Sequence, residues 1–160
     1  MSDRSQDALI ALRQIQRRVE QASKKLAQKA RLTPSQLHVL QILSERGETA
    51  VGEISTLTQL KQATITSLSD KLVACGYIER RKCDQDRRRV WISLLPAGEQ
   101  AIKAAPDLLQ DVFAARFSDL PGWQQAMIVA SLERVSAILD AGEMDAAPIL
   151  DIGDLDAHPE

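Results

Sequence analysis

Two helical segments joined by a tight turn, followed by two strand-forming arms around an arginine-rich tip, leave this chain few folds to choose from. Residues 51–57 read as a short helix, Thr58-Gln59-Leu60 as a turn, and 62–75 as a second helix stopped by Gly76. In that second helix Ile65, Leu68 and Leu72 fall on one stripe at i, i+3 and i+7, which turns Gln62, Thr66, Ser67, Asp70 and Lys71 outward. The run Asp84-Gln85-Asp86-Arg87-Arg88-Arg89 comes next, between the arms Tyr77-Ile78 and Val90-Trp91-Ile92-Ser93-Leu94. That order is the order of a winged helix: one helix sized for a DNA groove, and a cationic finger able to reach the next.

The rest of the chain reads as helix. From 8 to 29 the apolar residues Leu12, Ile15, Val19, Ala22 and Leu26 alternate steps of three and four, with Arg13, Arg17, Arg18, Lys24 and Lys25 on the other faces. A seam that narrow suits packing against another helix, including across a dimer axis. Thr33-Pro34-Ser35-Gln36 predicts a helix start, with Thr33 as cap, Pro34 at the first helical position and Gln36 closing a capping box. Leu37, Leu40, Ile42 and Leu43 are its core candidates, and Gly47 lies just past its end. After the hairpin, Pro96-Ala97-Gly98 opens a helix running past Ala101, Ile102 and Leu108 towards Phe117, which Pro106 kinks or breaks. Pro121-Gly122 marks the next break, and 123–139 forms a last helix too apolar to stand in water alone. The stretch from 143 to 160 mixes acids with Ile149, Leu150, Ile152 and Leu155 and has no legible secondary structure.

Charge is divided along the chain. The net charge of -2 would count against a nucleic-acid partner if it were spread evenly. Residues 1–94, however, hold 17 Lys and Arg against 10 Asp and Glu, a surplus of 7, while 95–160 hold 3 against 12, a deficit of 9. Between 71 and 89, Lys71, Arg80, Arg81, Lys82, Arg87, Arg88 and Arg89 stand against Glu79, Asp84 and Asp86, a local surplus of four. At 160 residues the chain has material for one core. It shows no apolar leader and no run near the roughly 18–20 apolar residues that cross a bilayer, so a cytoplasmic protein without a membrane partner is expected. Two cysteines, Cys75 and Cys83, with His38 and His158 make neither a disulfide framework nor a zinc set, and no cofactor or metal is expected.

The outward groups of the second helix, Gln62, Thr64, Thr66 and Ser67 with Lys71 beyond, can hydrogen-bond base edges and phosphate oxygens in the major groove. Alone, such a face is more often a solvated polar surface; the flanking short helix, turn and basic hairpin make it a reader. In the hairpin Asp86 stands two before Arg88, where its carboxylate can brace the guanidinium for a narrow groove. Arg87 and Arg89 then alternate to other faces and can meet phosphates. The plain alternative is an arginine-rich edge that only prevents strand pairing.

Taken together these motifs resemble the MarR family of winged-helix transcriptional regulators. The resemblance rests on Leu32-Thr33-Pro34-Ser35-Gln36-Leu37, Gln62-Ala63-Thr64-Ile65-Thr66, Gly76-Tyr77-Ile78-Glu79-Arg80, and Asp86-Arg87-Arg88 through Leu94 to Pro96-Ala97-Gly98, in that order and over most of the chain. It implies a mainly α fold with a small β-wing: one domain over 1–160, with the winged helix-turn-helix lobe at 33–95, a helical dimerisation region at 7–30 and 96–141, and a C-terminal extension at 142–160. It also implies a homodimer on a pseudo-palindromic double-stranded DNA operator, a repressor released by a small-molecule effector. Carried onto matching positions, the reader's polar residues would contact bases and backbone, and Arg88 would enter the minor groove with Asp86 orienting it.

Three positions depart from the pattern. Lys61 stands where a serine or threonine usually caps the reader, Gln59 replaces the glycine common in the turn, and Leu95 replaces the threonine that often precedes Pro96. Lys61 forgoes a cap worth roughly 0.5–2 kcal/mol but can add a phosphate contact. No cysteine precedes Cys75, so the family's N-terminal peroxide-sensing arrangement is not expected; Cys75 and Cys83 are ordinary thiols or gates of DNA binding by oxidation. Arg13, His38 and Trp91 are the candidates for the effector pocket. The aliphatics of the extension can pack on a partner protomer or over that pocket, or leave the tail mobile. The competing function is a winged-helix platform for protein or RNA without operator specificity. Catalysis is not expected, because the sequence has no phosphate-binding glycine loop, no usefully spaced histidine and carboxylate, and no nucleophile motif.

Overall fold

In a computed structural model, residues 3–82, 89–142, 144 and 146–151 are described. The chain forms α1 (Asp3–Ala30), α2 (Pro34–Arg46), β1 (Thr49–Ala50), α3 (Val51–Thr58), α4 (Gln62–Ala74), β2 (Ile78–Lys82), β3 (Val90–Leu94), α5 (Pro96–Ala104), α6 (Leu109–Ser118) and α7 (Gly122–Ile138). Three antiparallel strands lie in the order β1-β3-β2, with Arg80 opposite Ile92 and Thr49 opposite Ile92 on its other side.

Local chemistry accounts for the helix boundaries. The Thr33 hydroxyl accepts from the Gln36 amide at 3.3 Å and the Gln36 side chain accepts from the Thr33 amide at 2.9 Å, so the predicted capping box is present ahead of Pro34. At the other end of the reader, Gly76 adopts φ +70; its amide reaches the Val73 carbonyl and the Tyr77 amide reaches the Leu72 carbonyl. These paired bonds form a Schellman motif that turns the chain into β2.

The turn before α4 manages without glycine. Gln59 takes the left-handed φ of 58, at a cost of about 1 kcal/mol relative to glycine. Side chains offset it: the Ser55 hydroxyl donates to the Leu60 carbonyl at 2.6 Å, and buried Thr58 accepts from the Leu60 amide at 3.3 Å. Lys61 and Leu95 cap their helices with extended backbone and make no side-chain capping bond.

Helix α2 is the centre of the core. Leu37, Leu40, Ile42 and Leu43 are buried as predicted, and so is Val39, which the periodic reading omits. They meet Ile54 from α3, Ile65, Leu68 and Leu72 from α4, and Ile78 and Ile92 from the sheet. Pro106 breaks its helix outright: Ala105 is forced to an extended ψ of 142, as a residue before proline tends to be, and buried Leu108 bridges to α6. The strand β1, only two residues long, carries no pattern a sequence could show.

Gly98 is where α5 meets the wing. A Cβ there would run into the Tyr77 carbonyl oxygen, already accepting from the Leu95 amide, and lie 2.6 Å from Leu94 Cδ1. Gly98→Ala is expected to cost about 1–3 kcal/mol in urea unfolding, because backbone must move to admit it. Gly122→Ala, with open space around it, should stay within about 0.5 kcal/mol.

Helices α6 and α7 contribute no buried residue. Trp123 is 66% and Ile138 67% exposed, and Phe113, Met127, Val129 and Leu132 are bare with them. Among the described residues, no helix is long and apolar enough to cross a membrane.

Candidate nucleic-acid interface

The stripe that anchors α4 also sorts its side chains. Ile65, Leu68, Ser69 and Leu72 face the core, and Lys61, Gln62, Thr64, Thr66, Ser67 and Lys71 are all exposed. Ser69 sits among apolar neighbours because its hydroxyl donates to the Ile65 carbonyl at 2.6 Å. Thr66 does the same towards Gln62, at 2.9 Å. Its proton is therefore spent, and Thr66 can meet a base only as an acceptor.

The reader's polar residues divide between two flanks. Gln62 and Thr66 line a cavity of about 360 Å³ with the start of α3, Arg80, Arg89, Val90 and Trp91. Thr64 and Ser67 line another of about 360 Å³ with Thr33, Ser35, Leu60, Leu68 and the segment around Ile149 and Asp151. Of the predicted wing residues, Arg89 is thus placed beside Gln62 and Thr66. Asp86, Arg87 and Arg88 lie outside the described residues, as does Cys83. Cys75 is exposed at the end of the reader.

Arginine in the strand arms has a structural use that sequence reasoning missed. Arg80 reaches across to α4, where Nη1 donates to Asp70 Oδ1 and Nη2 to the Thr66 carbonyl at 2.7 Å. The guanidinium thereby fixes the foot of the wing to the reader. Arg81 donates to both carboxylate oxygens of Glu48, at 3.2 and 2.9 Å. Counting Glu48 and Asp70 with the cluster lowers its surplus from four to two. No sequence signal marks these pairs, which join residues 33 and 10 positions apart.

The hydrogen bond from Arg81 holds the Glu48 carboxyl below the ordinary glutamate range. Any stability linked to this ionisation is present above about pH 4.3 and is lost as pH falls through the lowered value. Carboxyl NMR should find Glu48 titrating below that range and returning to it in Arg81→Ala; an ordinary titration in the unsubstituted chain would contradict the pairing.

The three effector candidates are not gathered in one cavity. Arg13 lines an open groove on α1 with Leu9, Ile10, Leu12, Gln16, Arg17 and Glu20, Trp91 lines the reader-wing cavity, and His38 is half-buried on α2.

The MarR family model matches residues 32–90, the stretch that carries α2, the reader and the first strand arm. The HTH-type transcriptional regulator YsmB of Bacillus subtilis (strain 168) is 31% identical over 125 residues, covering 78% of this chain and 86% of that protein. The chain belongs to the MarR family. The HTH-type transcriptional repressor IacR of Pseudomonas putida is 27% identical over 124 residues, covering 78% of this chain and 74% of that protein. Among solved structures, a MepR-like protein complexed with pseudoligands matches with a TM-score of 0.59 at 25% identity, over 83% of this chain and 94% of that one. As a MarR-family member the protein is a DNA-binding transcriptional regulator, and a platform for protein or RNA is not favoured.

Proposed function

We propose that this MarR-family regulator is a cytoplasmic homodimer that reads a pseudo-palindromic operator and represses transcription until a small-molecule effector releases it. The observation that carries the reading is the separation of faces on α4, whose apolar stripe is buried while six polar or cationic side chains on and just before the helix stand exposed. Lys61, Gln62, Thr64, Thr66, Ser67 and Lys71 are the proposed major-groove and phosphate contacts, and Arg87, Arg88 and Arg89 with Asp86 the proposed wing contacts. Two bare apolar helices, α6 and α7, supply the surface a twofold partner would cover. Arg13, His38 and Trp91 are the proposed effector contacts.

Fluorescence anisotropy on duplexes from the DNA flanking its own gene tests operator reading. At matched salt, one duplex containing an inverted repeat should bind at least about a thousandfold more tightly than random sequence. Equal affinity throughout would reject specific reading. Arg88→Ala is expected to weaken operator binding by about 1–3 kcal/mol.

A further inference from the structure

The C-terminal segment is tied to the DNA-binding lobe of its own chain. Asp151 Oδ2 accepts from the Ser35 hydroxyl at 2.7 Å and from the Ser35 amide at 3.2 Å, across 116 residues of sequence. Ser35 is in the first turn of α2, a turn with no acidic residue of its own. Asp151 therefore brings a carboxylate to a helix end whose free amides and dipole favour one. The same residue, with Ala146, Ala147 and Ile149, faces Thr64 and Ser67 of the reader helix across their shared cavity. One flank of the reading surface is thus bordered by the tail.

Two properties of the segment suit a removable cover. In sequence, 142–160 hold six acidic side chains and no lysine or arginine, so the net charge of the stretch has the same sign as DNA phosphate. The latch is also incompletely satisfied, for Asp151 Oδ1 is buried without a partner among the described residues. A buried oxygen left unpaired offsets part of what the two Ser35 bonds contribute.

We propose that the segment 146–151 is an intramolecular strap: latched by Asp151 on Ser35, it lies beside the Thr64 and Ser67 flank and lowers affinity for duplex DNA until it swings clear. The proposal rests on α4 being the DNA reader. DNA and the latched strap compete, so the apparent affinity of the chain is the open-state affinity scaled by the fraction unlatched.

The test uses the full chain with Ser35→Ala or Asp151→Ala, with anisotropy on operator and random duplex and hydrogen exchange at the residue 35 amide. Ser35→Ala is the cleaner variant because it removes the shorter of the two latch bonds without altering the charge of the tail. Each variant should bind both duplexes roughly 10-fold more tightly near 0.1 M salt, with the gain shrinking as salt rises, and should exchange the residue 35 amide faster. Variants that bind operator as the unsubstituted chain does, or more weakly, overturn the strap while leaving the reader intact. If neither the unsubstituted chain nor the variants prefer operator to random duplex, the operator reading fails; if none binds duplex at all, the strap falls with it.

Discussion

Leu72→Ala is expected to lower the free energy of unfolding by about 2–5 kcal/mol, whereas Val73→Ala, one residue along the same helix, should cost less than about 1. Leu72 is fully buried against the α2 core, and Val73 is 40% exposed. Truncating Leu72 leaves a void among side chains held by Ile54, Ile65, Ile78 and Ile92, and partial collapse recovers only some of the lost contact. The effect extends to function, because the leucine that fills the core also sets the rotation of α4 and hence the direction of Gln62 and Lys71. Chemical denaturation measures the first part. Operator affinity of the folded fraction measures the second and should fall together with stability. A loss below about 1 kcal/mol at Leu72 would contradict the burial on which the interface depends.

The second large effect concerns assembly. Met127→Glu combined with Leu132→Glu is expected to convert the proposed dimer to monomer at micromolar concentration, seen by sedimentation, and to weaken operator binding by more than about 100-fold. Both side chains are bare in the protomer, at 56% and 49% exposure, on a helix that buries nothing within its own chain. Each would contribute about 1.5–3 kcal/mol if covered by a partner, and a carboxylate in its place would have to be desolvated. Losing the partner removes the second half-site contact, which otherwise forms at the high effective concentration of a linked lobe. An unsubstituted chain that sediments as a monomer at the same concentration would refute the twofold model.

The sequence disclosed much of this because its informative signals are local. The capping box at Thr33, the stop at Gly76, the stripe of Ile65, Leu68 and Leu72, and the two strand arms each depend on residues within a turn or two of one another. Short-range geometry has fixed periods, so the order of the helices and of the two strand arms, and the outward residues of the reader, follow from spacing. Val39 escaped that reading because a helix packed on several sides buries more than one stripe.

Other features depend on distant partners. Arg80 and Arg81 count in the sequence as cationic surface, and folding engages them with Asp70 and Glu48. The tail has no legible secondary structure in the sequence, and in the fold Asp151 meets Ser35 in the first turn of α2. Strand β1 exists only because β3 lies beside it. Spacing along the chain determined the winged-helix order and which face of α4 looks outward. Which charges are left over for a partner was decided by tertiary structure alone, since an ion pair forms between groups close in space and no periodicity of the backbone records which those will be.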